Sequence, residues 1–267
     1  MITRLTQKEF SSASRRTSNV RWLAAAFFAM AISVHADVTE VEEFSFELDE
    51  GGKLNVENIN GDITVTAGSG NKVIVIATKK ADDQDYLDGM EIHVKASSSR
   101  ISLRTEHPKS SRRWFGTNSN GSVSFEIIAP AGANLDSIET VNGEIEIAGI
   151  EGDVSADTTN GDIHISDLRG NLEADTVNGS VNATFASLGG DQRVSAETVN
   201  GRIQLKLPEN TSAKVDAGTV NGGIDADDFG LHVDKGFLGR DCSGEIGDGD
   251  ARIKLSTVNG AIKIRRI

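Results

Sequence analysis

Glu139-Thr140-Val141-Asn142-Gly143 opens a phrase that returns as Thr158-Thr159-Asn160-Gly161, Thr176-Val177-Asn178-Gly179, Thr198-Val199-Asn200-Gly201, Thr219-Val220-Asn221-Gly222 and Thr257-Val258-Asn259-Gly260. The Asn-Gly pairs fall 18, 18, 22, 21 and 38 residues apart, and the last gap is close to two periods. A period of about twenty residues with apolar alternation between turn signals means stacked β coils. The repeat decides the fold class: all-β, a β-solenoid of 18–22-residue coils.

The two units 141–158 and 159–176 match position by position. Ile145, Ile147, Ile150, Val154 and Ala156 in one correspond to Ile163, Ile165, Leu168, Leu172 and Ala174 in the next. Ile-x-Ile and Val-x-Ala are the period-two alternation of half-buried strands. The alternation breaks at Gly149–Gly152, again after Ala156 where an acid and a threonine intervene, and a third time at Asn-Gly, a pair suited to positive φ. Three bends and three short strands per unit predict a three-sided coil. Asn-Gly is also the strongest hairpin signal. Identical residues at identical phase fit parallel coil-on-coil stacking better than antiparallel hairpins.

Later units bend the rule. An insertion through Gly189-Gly190 precedes Val194-Ser195-Ala196, and Ile203-Gln204-Leu205 runs through Pro208 to Val215-Asp216-Ala217. In the long gap, Cys242-Ser243-Gly244-Glu245-Ile246 stands where Val-Asn-Gly-x-Ile is expected, which predicts an inward, buried and inert thiol. Residues 37–136 are looser: 54–65 resembles one early coil, and strand-like runs at 38–48, 72–78, 91–95, 100–104 and 123–128 are divided by polar loops. This section reads as an irregular N-terminal β cap on the repeats at 137–267, since an open coil end exposes backbone and core. Arg265 and Arg266 read as charges on a last strand that guards against end-to-end stacking.

Residues 1–36 read as a signal peptide rather than structure. Arg15, Arg16 and Arg21 lead into an apolar run of 13 residues at 22–34, shorter than a membrane-spanning helix, and Val34-His35-Ala36 suits cleavage. Ser14-Arg15-Arg16-Thr17 lacks the apolar residues that follow a twin-arginine pair, so general secretion is the expectation. The whole chain carries −13; the leader holds five basic residues against Glu9, which leaves −17 on residues 37–267. So acidic an exported chain argues against nucleic acid and anionic lipid as partners, and the mature part has no membrane-spanning segment. Cys242 is alone, so no internal disulfide is expected.

Thr-Val-Asn-Gly-x-Ile-x-Ile, the lead-in Phe125-Glu126-Ile127-Ile128-Ala129-Pro130 and the closing copy at 256–264 resemble the bacterial putative-adhesin family of exported β-strand repeats, a domain of unknown function. The resemblance covers most of the mature chain. It implies a right-handed parallel β-helix, in the periplasm or at the cell surface, and carries over no catalytic residue.

Three groups of residues are candidate sites. Asn142, Asn160, Asn178, Asn200, Asn221 and Asn259 should stack about 4.8 Å apart as a structural amide ladder, with the threonines as a parallel column. Glu139, Asp157, Asp175 and Glu197 share one phase and should form a carboxylate column; like charges opposite one another repel, and weak Ca²⁺ binding is one way to relieve it. Lys109, Arg112, Arg113, Trp114 and Phe115 gather basic and aromatic residues in an acidic, aromatic-poor chain. Arg112, Arg113, Trp114 and Phe115 read either as a ligand-binding loop, rings stacking on sugars and guanidinium groups on anions, or as a lid over the open coil end.

The five histidines are scattered and no Ser/His/Asp constellation stands out. The sequence therefore points to an exported, non-enzymatic, adhesin-like solenoid that binds an envelope or host glycan. An envelope-stress or other envelope-protein scaffold is the alternative. A polysaccharide lyase or hydrolase on a β-helix comes third, because the outward columns (Glu146, His164, Asn182, Gln204, Asp225; Asp153, Asn171, Arg193, Lys214) are chemically mixed.

Overall fold

A computed structural model describes residues 38–108, 120–235 and 239–267. The strands form two large mixed sheets that face each other across one apolar core. The N-terminal section holds β1 (Val38–Glu47), β2 (Lys53–Glu57), β3 (Ile63–Gly68), β4 (Lys72–Ala81), a short helix α1 (Gln84–Asp88), β5 (Glu91–Ala96), β6 (Arg100–Glu106) and β7 (Gly121–Pro130). The repeats begin with β8 (Asn134–Asn142), β9 (Ile145–Ala148), β10 (Val154–Asn160), β11 (Ile163–Leu168), β12 (Leu172–Asn178), β13 (Val181–Phe185), β14 (Arg193–Asn200) and β15 (Ile203–Leu207). They end with β16 (Ala213–Thr219), β17 (Ile224–Asp225), β18 (Val233–Lys235), β19 (Arg240–Ile246), β20 (Ala251–Asn259) and β21 (Ile262–Arg266).

Each regular coil contributes one strand to each sheet, so there are two strands per coil where the sequence reading expected three. The bend expected after Ala156 does not exist. β10 continues through Thr158 with Val154, Ala156 and Thr158 all inward and buried. Threonine holds an inward position because its hydroxyl is satisfied: Thr158 Oγ1 donates to the Gly143 carbonyl at 3.1 Å, and Thr140, Thr176, Thr198, Thr219 and Thr257 each donate to a glycine carbonyl of the neighbouring coil at 2.9–3.2 Å. A buried hydroxyl with a partner costs little, whereas the same carbonyl left bare would cost ~1–3 kcal/mol.

The glycine of Asn-Gly also works differently from the expectation. Among these corners only Gly61 has positive φ (118°). Elsewhere glycine is needed because coils approach too closely for a side chain: a Cβ on Gly161 or Gly179 would lie 1.8 Å from the carbonyl oxygen of Gly143 or Gly161 below it.

Parallel in-register pairing runs through the centre of both sheets, for instance Asp157 on Asp175 and Asn160 on Asn178. The early coil joins it: β2 pairs with β8 and β3 with β9, both parallel. Three of the four sheet ends are antiparallel. β1, β4 and β7 close one end of the 10-stranded sheet, whose other end is the two-residue β17, parallel to β21. β5 on β6 and β18 and β19 beside β16 close the two ends of the other sheet. Cys242 is buried as expected, but on β19 opposite Ala217 in an antiparallel pair rather than in a parallel coil.

The order of coils in space departs from the order in sequence. β20 lies between β14 and β16, and β21 between β15 and β17. The 38-residue gap is therefore an excursion outward and back, not two stacked turns. Arg265 and Arg266 consequently sit on an interior strand and clamp the outer turn instead of guarding an edge. Arg265 donates to Asp225 at 2.8 Å, Arg266 donates its backbone N–H to Asp228 at 3.0 Å, and the Arg266 guanidinium lies 5.2 Å from the centre of the Phe229 ring.

Gly179→Ala should lower stability by about 3 kcal/mol through overpacking against the neighbouring backbone. Gly189→Ala, where nothing lies within 4 Å of the added Cβ, should leave it nearly unchanged. Urea unfolding midpoints of the two variants check the contrast.

Candidate functional site

Outward residues of β8, β10, β12, β14 and β20 stand in columns across the face of the 11-stranded sheet. The carboxylate column falls where the sequence placed it: Glu139 on Asp157, Asp157 on Asp175, Asp175 on Glu197. It extends one strand further to Glu57, which pairs with Glu139. Two cations bracket it. Arg104 Nε lies 3.4 Å from Glu57, and Lys254 Nζ lies 2.8 Å from Glu197. Lys254 comes from the inserted last coil, so the sequence period alone could not place it there.

Repulsion and burial act together in the middle of this column. The Asp157 carboxyl is pushed from 3.8 to about 6, first by desolvation and then by Asp175, Glu139 and Glu173. Asp175 is also raised, by desolvation and then by Glu197 and Glu173, against the pull of Lys254. Its Oδ1 is buried with no hydrogen-bond partner among the described residues. Among the described residues no three His, Cys, Asp or Glu groups are gathered so as to hold a metal ion.

Two residues along each strand, beside the acids, runs a stripe that the sequence reading did not use. Ile59, Val141, Val177, Val199, Val258 and Val220 are 40–52% exposed, with Thr159 of β10 interrupting the series between Val141 and Val177. Its signal was present in the sequence as the Val of Thr-Val-Asn-Gly. Glu139, Asp157, Asp175 and Glu197 line a groove of about 540 Å³ together with Val141, Val177, Val199 and Val258. Further across the face, Lys53, Asp136, Asn171, Arg193, Arg252 and Lys254 line a second groove of about 780 Å³. Asp136 is held below the usual carboxylate range by hydrogen bonds from Lys53 at 2.7 Å and Arg100 at 3.0 Å.

The corners flanking this face are fixed by side-chain ladders. Asn142 donates to Asn60, Asn160 to Asn142, Asn178 to Asn160 and Asn200 to Asn178 at 2.8–2.9 Å, and Asn259 and Asn221 continue the series in that spatial order. At the opposite corner Asn134 accepts from the Asp153 backbone N–H, Asp153 from Asn171 and Asn171 from the Arg193 backbone N–H at 2.7–3.0 Å. On the other sheet, Glu146, His164, Asn182 and Gln204 stand in one column as expected, with Lys263 interposed before Asp225. Lys109, Arg112, Arg113, Trp114 and Phe115 lie outside the described residues, as does the segment 1–36 expected to be a signal peptide. His107, at the foot of that segment, packs against Tyr86 with ring centres 6.3 Å apart.

A family model described as Toastrack DUF4097 matches residues 15–265. No curated protein matches the chain. A solved structure described as a "putative cell adhesion protein" from Clostridium sporogenes is similar at 16% identity, covering 85% of this chain and 100% of its own, with a TM-score of 0.43. A "putative adhesin" from Bacteroides fragilis is similar at 11% identity, covering 85% and 97%, with a TM-score of 0.32. No helix among the described residues is long and apolar enough to cross a membrane.

The raised Asp157 pKa fixes the sign of a pH effect. The folded state holds this proton more tightly than the unfolded state between pH 3.8 and about 6, so stability falls as pH rises through that window and is level above it. Asp157→Asn should remove that fall and raise stability at neutral pH by up to about 1 kcal/mol, once solvent screening of a half-exposed group is discounted. Thermal unfolding of both proteins from pH 4 to pH 7 checks it.

Proposed function

The chain belongs to the Toastrack DUF4097 family, and from that premise we propose that it is an exported, non-enzymatic, adhesin-like scaffold of the bacterial envelope. We assign its coils the right-handed winding of a β-helix and assign no residue a catalytic role. The observation that carries this reading is the outer face of the 11-stranded sheet, where acidic, apolar and basic columns run side by side. The ladders at both corners hold those columns at strand spacing, so a ligand meets a surface that is already ordered and loses little freedom to adapt it. A repeating polymer suits such a surface because each coil offers the same chemistry again.

The ligand of this proposal is an envelope or host glycan, with Arg112, Arg113, Trp114 and Phe115 as a second point of contact. The alternative, an envelope protein as partner, is favoured by the valine stripe, broken once at Thr159, because exposed apolar surface marks protein contacts.

Purified protein should give a saturable signal on a broad panel of host and bacterial glycans. Changing both Val177 and Val199 to Lys should weaken that signal by about tenfold, or ~1.4 kcal/mol. Retained binding in that variant, with loss when Arg112, Arg113, Trp114 and Phe115 are all changed to Ala, would move the site to the 107–120 segment. No glycan signal from folded protein would sink the glycan reading and leave the protein partner.

A further inference from the structure

Asn-Gly is the peptide pair in which a backbone nitrogen most readily attacks a side-chain amide, because glycine has no Cβ to shield the nitrogen. The glycine nitrogen loses its proton and bonds to the asparagine Cγ, the Cγ–Nδ2 bond breaks, and ammonia leaves. Water then opens the resulting succinimide ring to aspartate or isoaspartate. The sequence consumes one water and needs no oxidant or reductant. It does require the glycine nitrogen to swing onto Cγ, away from the extended backbone that a strand imposes.

The ladder contains seven such pairs, in the spatial order Asn60, Asn142, Asn160, Asn178, Asn200, Asn259, Asn221. Asn142, Asn160, Asn178, Asn200 and Asn259 are each the closing residue of a strand. Each of these five uses both side-chain atoms, donating through Nδ2 to one neighbour and accepting at Oδ1 from the other. Several of their glycine nitrogens are tied as well: Gly143, Gly161 and Gly179 donate to the asparagine carbonyl of the next coil at 3.1–3.2 Å. At the near end Asn60 is anchored, its Nδ2 donating to the Gly121 carbonyl at 3.3 Å and the Gly61 N–H to Asn142 at 2.8 Å.

The far end is different. β16 stops at Thr219, so Asn221 and Gly222 lie past the strand, and Gly222 is exposed where the glycines of the strand-closing rungs are half-buried. Asn221 Nδ2 donates to Asn259 at 2.9 Å, but its Oδ1 accepts from no described residue. The next strand in the sheet, β19, is antiparallel and contains no asparagine to continue the ladder.

We propose that Asn221-Gly222 is a built-in deamidation site, the one rung of the ladder that converts to aspartate or isoaspartate while the strand-closing rungs are protected. Conversion replaces the amide that donates to Asn259 by a carboxylate that cannot, so Asn259-Gly260 becomes the new end of the ladder. Loss therefore proceeds inward from one end. The flanking sequences make a fair internal comparison, since Thr-Val-Asn-Gly is shared by Asn142, Asn178, Asn200, Asn221 and Asn259. Asn120-Gly121 lies outside the ladder and reports the rate of a pair without stacked partners.

The test is incubation of the purified protein at mildly alkaline pH, followed by peptide mapping that separates aspartate from isoaspartate. In the folded protein Asn221 should convert faster than Asn160 or Asn178 by about tenfold or more, the ratio that ~1.4 kcal/mol of extra barrier produces. In strong denaturant the ladder pairs should convert at similar rates, and Asn221→Gln should abolish the first event in the folded protein. Interior rungs that convert as fast as Asn221 in the folded protein would overturn the proposal. A lead for Asn221 that persists unchanged in denaturant would overturn it too, by assigning the order to local sequence.

Discussion

Two coils meet at the Asn-Gly corner with no room for a Cβ between them. On Gly161, Gly179, Gly201, Gly222 and Gly260 that atom would sit 1.7–1.8 Å from the carbonyl oxygen of the glycine in the adjoining coil. The approach leaves that carbonyl facing into the stack, and the inward threonine two residues before the asparagine supplies its donor. Glycine costs about 1 kcal/mol in lost chain freedom, and a well-made hydrogen bond contributes about the same. The threonine and the glycine are thus one device. With the corner fixed at strand spacing, the asparagine between them stacks on its counterpart and the valine is turned outward.

This device also explains which parts of the fold could be read from the sequence. The coils, their register, the amide ladder and the acidic column are legible because each repeats one residue type at one phase, and parallel stacking converts equal phase into spatial contact. Thr158 and its counterparts read as a bend in the sequence because a polar residue interrupts an apolar alternation, yet they hold inward strand positions. The hydroxyl, with its glycine carbonyl in another coil, is invisible until the coils are placed. The order β14, β20, β16 was illegible for a different reason. A repeat count gives the number of coils but not their order, and the long gap reads as close to two periods, whereas Asp227–Phe229 is an outward turn and Val233–Lys235 and Arg240–Ile246 are antiparallel strands.

The antiparallel ends resolve a problem that any stacked coil has. A parallel stack ending in a regular coil offers the next molecule the same backbone edge and the same ladders that hold its own coils together. Here three of the four sheet ends are antiparallel, and the fourth offers only the two residues of β17 in parallel. β5 carries Glu91, His93 and Lys95 along a strand that runs against its neighbour, and β21 is covered past Lys263 by the turn that Arg265 and Arg266 clamp. Charge and strand direction together make the molecule finite.

The insertion of the last coil has an electrostatic consequence for the outer face. Were β20 stacked outside β16, Lys254 would be two strands from Glu197, and the carboxylates would end without a cation on that side. In its actual place it closes a series of five acids whose other end is met by Arg104. The two carboxyls raised above their ordinary range are Asp157 and Asp175, the members lying between Glu139 and Glu197 and away from both ends. Desolvation is the first cause of both shifts and the neighbouring acids add to it, while Lys254 opposes the rise at Asp175. Asp157, beyond the reach of Lys254, is the member whose charge changes near pH 6, through desolvation first and its acidic neighbours second.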